Sequence, residues 1–331
     1  MQVPEQPRVF VSILNWNAAE TTLTCLTSVL QAGPVGFDIT YYVVDNGSEE
    51  NDWQILSKKL PAKVHAIRLN QNIGFAGGHN VIIRKAIEEN VNFIWLLNND
   101  TIAPVGTLEQ LLAFMQREQR CGSVSPVIRA LHDETVIDFC GAWHDWNALE
   151  SRRPNDCDVT RRMEERTPEA LWNHGTAPLF RVSALNEIGV LDERYFAYFE
   201  DNDIGVRLSR GGWLNRVCYD ARVQHARRIS ILVERPAYYF YLMTRNAFAF
   251  WEQHTAAQFR HGLRRRLLCR ALVEAAKLRE RGFQGKSDAC LIGAVDGLAG
   301  RRGPPELNRQ PPFWIAMASR LPYRLLKPLM T

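Results

Sequence analysis

The sequence predicts an α/β fold: a mostly parallel sheet flanked by helices, followed by a helical, basic C-terminal extension. Three observations carry this. Short β-branched and apolar runs alternate with helical spacing over the first hundred residues. Polar segments bearing Gly or Asn follow three of those runs, at the edge where open α/β sheets take ligands. The charge is also divided: residues 256–331 hold 15 Lys/Arg against 5 Asp/Glu, in a chain of 331 residues whose net charge is only +4.

Taken in order, residues 8–14 (RVFVSIL) read as a buried strand. Asn15-Trp16-Asn17 breaks it, and Leu23, Leu26, Val29 and Leu30 place a helix over 20–32. A second strand over 39–44 stops at Asp45-Asn46-Gly47-Ser48, a turn signal. A weak third strand over 63–69 leads into NQNIGFAGGHN and a helix over 80–89. A fourth over 92–97 ends at Asn98-Asn99-Asp100. Residues 150–168 are so charged that they read as an exposed loop. Pattern returns over 171–191, a helix opens near Asp201, and a helix and strand then lead to His225. Residues 237–253 read as a packed, apolar helix and 257–282 as a basic amphipathic helix. A short last element carries Phe313, Trp314, Leu321, Tyr323 and Leu325. The boundary falls at 230, with about 1–130 and about 131–230 as two halves of one catalytic domain and 231–331 as the helical region.

The bulk numbers exclude several classes. With 46% hydrophobic and 23% charged residues the chain is ordinary globular material. Its start lacks a basic region followed by a long apolar core, so no secretory signal is expected. No run is long and apolar enough to span a bilayer. Seven cysteines, odd in number and without a CxxC, fit reduced cytoplasmic thiols better than a disulfide framework or a zinc site. The basic end lacks the motifs and interleaved aromatics of a nucleic-acid binder, so no nucleic-acid partner is expected.

Five places carry chemistry, and each has a plain structural reading beside it. Asp45 is a turn residue or an acceptor for a base or ribose. The glycines of Asn72-Ile73-Gly74-Phe75-Ala76-Gly77-Gly78-His79-Asn80 make a turn or let phosphate approach a helix start. Asp100 caps a helix or holds a hard cation. Glu200, Asp201 and Asp203 satisfy a helix N-terminus, or one of them acts as a base beside the apolar run Tyr195-Phe196-Ala197-Tyr198-Phe199. His225 is structural, or returns to the same site as a ligand.

Together, in this order, these pieces resemble the family 2 glycosyltransferases, in particular their rhamnosyltransferase-like branch. VSILNWN, VVDNGS, NIGFAGGHN, WLLNNDT, GTAPLFR, IGVLDERYFAYFEDNDIGVRLSRGGW, His225 and Tyr241 with Arg245-Asn246 carry the resemblance over about residues 8–250. It implies a GT-A (Rossmann-like) fold and an inverting transfer from a dTDP-, UDP- or GDP-sugar donor. The acceptor would be a hydroxyl of a glycan or of a polyprenyl-linked saccharide. It implies that Asn17, Asp45, Asn72, Gly74, Phe75, Gly77, Asn80 and Asn99 line the nucleotide sugar. Asp100 and His225 would hold Mg2+ or Mn2+, Asp201 would be the general base, and Glu200 would place the acceptor or the base. Many family members have Asp-x-Asp where this chain has Asn98-Asn99-Asp100, which leaves a single acid there. A catalytically silent nucleotide-sugar-binding or scaffold protein of the same fold is the alternative. The basic end suits an anionic membrane surface on the cytoplasmic side, and a homodimer contact accounts for it equally well.

Overall fold

The computed structural model describes residues 6–31, 33–34, 36–226, 233 and 235–321. It divides into two compact units. The first holds residues up to 144 together with 151–192 and 200–227. The second holds the chain from 228 onward, and the short stretches 145–150 and 193–199 group with it. A single cut at 230 therefore misses two loops that leave the first unit and return.

In the first unit β1 (Arg8–Asn15) lies parallel between β2 (Asp38–Asp45) and β4 (Phe93–Asn98), with β3 (Val64–Arg68) outside β2. This is the parallel sheet read from the sequence. Beyond β4 the sheet is mixed. The short β11 (Leu179–Arg181) runs antiparallel between β4 and β6 (Cys121–Ala130), and β12 (Leu214–His225) lies parallel to β6. Two further strands complete it, β5 (Thr101–Ile102) on β12 and β7 (Asp133–Phe139) on β6, both antiparallel. A separate three-stranded sheet joins β10 (Leu171–Trp172), β8 (Ala142–Asp145) and β9 (Glu150–Arg152).

The alternation along β1 explains why nearly every residue in it is apolar. Val9, Val11 and Ile13 face one layer, with Leu26 and Val29 of α1 (Ala19–Leu30) and Leu111, Leu112 and Met115 of α4 (Thr107–Arg117). Phe10 faces the other, with Ile82 and Ile83 of α3 (Gly74–Glu88), Leu185 of α6 (Val182–Ile188) and Leu208 of α7 (Glu200–Arg210). A strand covered on both faces has no polar side to offer. Trp95 on β4 is buried, and its indole N–H donates to Ala177 O at 3.0 Å. Truncating it removes about 3–5 kcal/mol.

Several elements differ from the sequence reading. α3 begins at Gly74, six residues before the expected start, so most of Asn72–Asn80 is helix and not loop. Asn72 Oδ1 accepts from Gly74 N at 2.8 Å and so nucleates the helix early. The glycines within the helix serve close packing: a Cβ on Gly78 would stand 2.4 Å from Leu14 Cδ1. The polar α2 (Glu50–Lys59) is unforeseen, since it buries only Leu56. Residues 150–168 are largely exposed as expected, but they are not a loop: α5 (Cys157–Arg166) occupies their middle. Asp156 caps it at Asp158 N, and Glu164 binds Arg216 at 3.1 Å and the Tyr219 hydroxyl at 2.9 Å. Polar contacts hold a helix that hydropathy does not reveal. At its start Cys157 hydrogen-bonds Cys140, which draws its thiol down to about 7, while burial and Cys157 push Cys140 up.

The second unit is helical. α8 (Ala237–His254) packs closely on α10 (Gln284–Leu298), where Gly293 meets Tyr241 O and Gly297 meets the Phe248 ring. α9 (Leu263–Glu280) buries its apolar face, and its Arg266 and Arg270 donate to the carbonyls of Asn147, Ala148 and Leu149. α10 had no counterpart in the sequence reading. The last described helix is α11 (Phe313–Ala318); Tyr323 and Leu325 lie outside the described residues. Among the described residues no helix is long and apolar enough to cross a membrane.

The stretch 193–199 carries three non-glycine residues of positive φ, Phe196 (68°), Tyr198 (67°) and Phe199 (73°). Such backbone costs of order 1–3 kcal/mol per residue and persists only where its surroundings enforce it. Asn246 Nδ2 reaches the carbonyls of Tyr195, Ala197 and Tyr198 at 3.0, 2.8 and 2.8 Å. The buried Arg245 adds Tyr195 O at 3.0 Å and Gly303 O at 2.6 Å. This is the work of the Arg-Asn pair that stood out in the sequence.

Candidate active site

The C-terminal ends of β1, β2 and β4 gather a polar seam. Asn15 Nδ2 donates to Asp45 Oδ1 and Asp52 Oδ2, both at 2.9 Å, and lies 3.2 Å from Ser48 Oγ. Thr22 Oγ1 donates to Asn15 Oδ1 at 2.7 Å and accepts from Asn99 Nδ2 at 3.0 Å. Asn17 has a φ of 50°, its N–H reaches Ser48 Oγ at 2.9 Å, and its Oδ1 accepts from Glu49 N at 2.8 Å. The turn needs Gly47, whose φ is 72° and whose added Cβ would lie 2.3 Å from Gln71 C. Asn46 joins this turn to α3 through Asn72 Oδ1, Gly74 O and Ile73 N.

Three residues expected to line a nucleotide are committed elsewhere. Asp45 is fully buried, and its carboxylate accepts from Asn15 and lies 3.7 Å from Arg68, so it organises the turn. Asn80 is fully buried, and its amide clamps Leu191, donating to its O at 2.8 Å and accepting from its N at 3.1 Å. Gly77 is buried in α3, where a Cβ would stand 3.0 Å from Ile73 Cγ1. The half-buried or exposed Asn17, Asn72, Phe75 and Asn99 remain along the seam, with the buried Gly74, whose φ of 85° suits glycine.

Next to the seam the character changes. β12 pairs with β5 so that His225 stands opposite Thr101, which brings His225 Nε2 to 3.3 Å from Asp100 Oδ1. The hairpin of β6 and β7 delivers Asp138, whose Oδ2 lies 2.7 Å from His225 Nδ1. Burial alone would push this imidazole down, yet the hydrogen bonds it donates to Asp100 and Asp138, and their charges, raise it to about 9. His225 is thus an imidazolium between two carboxylates at neutral pH.

The acids after the aromatic run open α7. Asp201 Oδ2 accepts from Gly175 N at 3.0 Å, and Oδ1 accepts from Asn202 N at 2.8 Å and Asn202 Nδ2 at 2.7 Å. Donors on both oxygens suit the ionised form. Glu200 is buried, and burial first and the charge of Asp201 second raise its carboxyl well above the usual range. Its Oε2 has no hydrogen-bond partner among the described residues. Asp203 is bound to Arg207 at 2.7 Å, and Arg207 also ties the carbonyls of Ile188, Gly189 and Val190. The three carboxylates therefore differ: one edged with donors, one raised by burial, one bound to Arg207.

His174 was not singled out in the sequence, although it immediately precedes GTAPLFR. Its Nε2 lies 4.0 Å from Asp201 Oδ2 and its Nδ1 lies 2.6 Å from Thr176 Oγ1. Burial and Arg153 push it down to about 4 against the pull of Asp201, and it also feels the charges of His225 and Asp138. It is the neutral link that brings the acid of α7 and the Asp100–His225 pair into one site. Phe75 belongs there too, since a Cβ on Gly175 would lie 3.4 Å from its ring and 3.7 Å from Asp201 Cβ.

The donor set fits a divalent cation in part. Asp100 Oδ1 is buried and lies 3.3 Å from His225 Nε2, a carboxylate and imidazole pair that suits Mn2+. Among the described residues no group of three or more such side chains is assembled for a metal. Other ligands must come from a bound molecule, and His225 must give up its Nε2 proton.

A mixed sheet with polar loops at the ends of its parallel strands and carboxylates in two clusters is the GT-A architecture. The same fold is found in GalNAc-T7 solved with UDP, GalNAc and Mn2+, at a TM-score of 0.58 and 16% identity over 78% of this chain and 51% of that one. It is also found in the mannosyltransferase PcManGT from Pyrobaculum calidifontis with GDP-Man and Mn2+, at 0.54 and 16% over 99% and 85%. The model for the glycosyltransferase like family 2 matches residues 7–249, and the chain belongs to that family. It is 28% identical over 207 residues to the N-acetylglucosaminyl-diphospho-decaprenol L-rhamnosyltransferase of Mycobacterium tuberculosis, covering 56% of this chain and 66% of that protein. It is 27% identical over 186 residues to the galactofuranosyltransferase GlfT1 of the same organism, covering 55% and 59%. The chain thus spans somewhat under two thirds of the length of these relatives.

Proposed function

We propose that the protein is an inverting glycosyltransferase that moves a sugar from a nucleotide-diphosphate donor to a hydroxyl of a glycan or lipid-linked saccharide. Rhamnose from dTDP-rhamnose is the first donor to try, with UDP- and GDP-sugars next. The observation that carries the reading is the 4.0 Å gap between Asp201 Oδ2 and His174 Nε2. It is too long for a hydrogen bond and wide enough for one hydroxyl oxygen to meet both. Asp201 then takes the acceptor proton as the oxygen attacks the anomeric carbon, opposite the departing diphosphate. Glu200, whose carboxyl burial and the charge of Asp201 raise well above the usual range, would place the acceptor or the base. Asp100 and His225 would hold a divalent cation, which neutralises charge on the leaving diphosphate. About residues 1–130 would serve the donor and about 131–230 the acceptor, on the cytoplasmic face of a membrane.

Family membership and the rhamnosyl- and galactofuranosyltransferase relatives support this reading. A second reading, a silent binder of nucleotide sugars, is favoured by the single acid of Asn98-Asn99-Asp100 and the incomplete ligand set. Calorimetry with dTDP-rhamnose, UDP-glucose, UDP-galactose and GDP-mannose, with and without Mn2+, tests both together with an assay for nucleoside diphosphate release. Binding of one donor with slow release in water supports the transferase. Binding with no release and no transfer to any saccharide acceptor supports the silent binder, and binding of none by the folded protein removes the transferase in favour of a silent scaffold.

A further inference from the structure

The second unit presents one apolar face. Phe313, Trp314, Met317 and Leu321 keep 79%, 53%, 45% and 48% of their surfaces exposed, and they are four of the seven large apolar side chains so exposed among the described residues. The other three, Trp16, Val105 and Val233, lie far apart in the chain. The spacing 313, 317, 321 with 314 alongside puts the four on one side of α11 and the turn after it. The opposite side is anchored: Ile315 and Ser319 are buried, and Arg279 donates to Ser319 Oγ at 2.8 Å and to its O at 2.9 Å. The exposed face is therefore held in place from behind.

Cations accompany it. Residues 307–321 contain Arg309 and Arg320 and no acid. Arg309 is bound to Asp296, but Arg320 is exposed amid the four, and Arg281 is exposed two residues beyond the anchoring Arg279. Neither Arg281 nor Arg320 has an ion partner among the described residues. A second copy of the same face would bring cation against cation with no acid to answer. A helix of six residues is also short for an apolar groove in a protein. Aromatic and aliphatic side chains around the exposed Arg320 match the boundary of a bilayer with anionic headgroups. The sequence offered both the 257–282 helix and the segment of Trp314 and Tyr323 for apolar insertion, and α9 spends its apolar face inside the unit.

We propose that the face of Phe313, Trp314, Met317 and Leu321, with Arg320 among them, seats the second unit on an anionic lipid surface. This deepens the reading above, in which a lipid carries the acceptor, and its test needs neither donor nor acceptor. The full chain is floated with vesicles of phosphatidylglycerol and phosphatidylcholine in equal parts, and with phosphatidylcholine alone, in about 0.1 M salt. Binding to the anionic vesicles only is expected. The double variant Phe313→Ser/Trp314→Ser should bind at least about tenfold more weakly with an unchanged melting temperature, and Val105→Ser should bind as the parent does. Failure of the parent to bind, or equal binding by the double variant, overturns the proposal. So does a dimeric parent that becomes monomeric in the variant with lipid binding unaltered. Calorimetric donor binding, run on the same samples, separates loss of this surface from failure of the transferase reading.

Discussion

Around Asp45 each polar side chain is answered by another, whereas around Asp201 and His225 titratable groups stand 2.7–4.0 Å apart with the buried Glu200 Oε2 left over. Both regions lie at the same edge of the first unit. The first resembles a finished core network, which rigidifies because it is satisfied. The second carries the mismatches that protein folding alone does not favour, which is the mark of a place completed by a substrate or an ion. Polarity alone does not find an active site; polarity left incomplete does.

Substitutions can break this contrast. Asp201→Asn keeps the shape and removes the base, so transfer should fall by roughly 10²–10⁴-fold while calorimetric donor binding stays within a few-fold. A turnover near that of the parent would assign the proton elsewhere. Asp45→Ala, on the satisfied side, should instead cost about 1–3 kcal/mol of stability by removing a buried acceptor of Asn15, read as a lower urea midpoint. An Asp45→Ala protein of parental stability that no longer binds donor would make Asp45 a ligand contact after all. Asp138→Asn leaves Asp100 in place and loosens His225, so Mn2+ binding measured by calorimetry should weaken by roughly 10–100-fold.

The smallest expected effect is in pH. His225 is raised to about 9, so its contribution to the stability of the metal-free protein is complete below its ordinary value of 6.5. That contribution is lost as pH climbs through 9. His79, buried on α3 with its Nδ1 3.1 Å from Ser12 Oγ, is pushed down to about 3 by burial. The unfolded chain therefore takes its proton first, and stability falls as pH drops from 6.5 towards 3. Urea midpoints across pH should bend both ways, no more steeply than about 1.4 kcal/mol per pH unit for each group. His225→Gln should flatten the alkaline arm alone.

Much of the first unit was legible because β1, β2 and β4 are apolar runs that stop at Asn, Asp or Gly. Asp100, Asp201, Glu200 and His225 were legible as chemistry-bearing residues for the same reason: each follows a recognisable element. Asp138 and His174 were not. Their place depends on the β6–β7 hairpin and on β11 slipping between β4 and β6, pairings that leave no local trace in composition. The glycines of α3 misled in the other direction. They read as a loop for phosphate, but they allow a helix to lie close on β1. α5 and α2 escaped because charged side chains hold them and little apolar surface records them.

Of the seven cysteines only Cys157 is not buried, and its thiol is the one drawn down to about 7. At neutral pH a maleimide dye should therefore go to the start of α5 in the unmodified chain. α5 leans through Thr160 on Gly141, two residues past the end of the strand that carries Asp138. The protein thus comes with its own attachment point for a reporter, close to the centre whose filling one would want to watch.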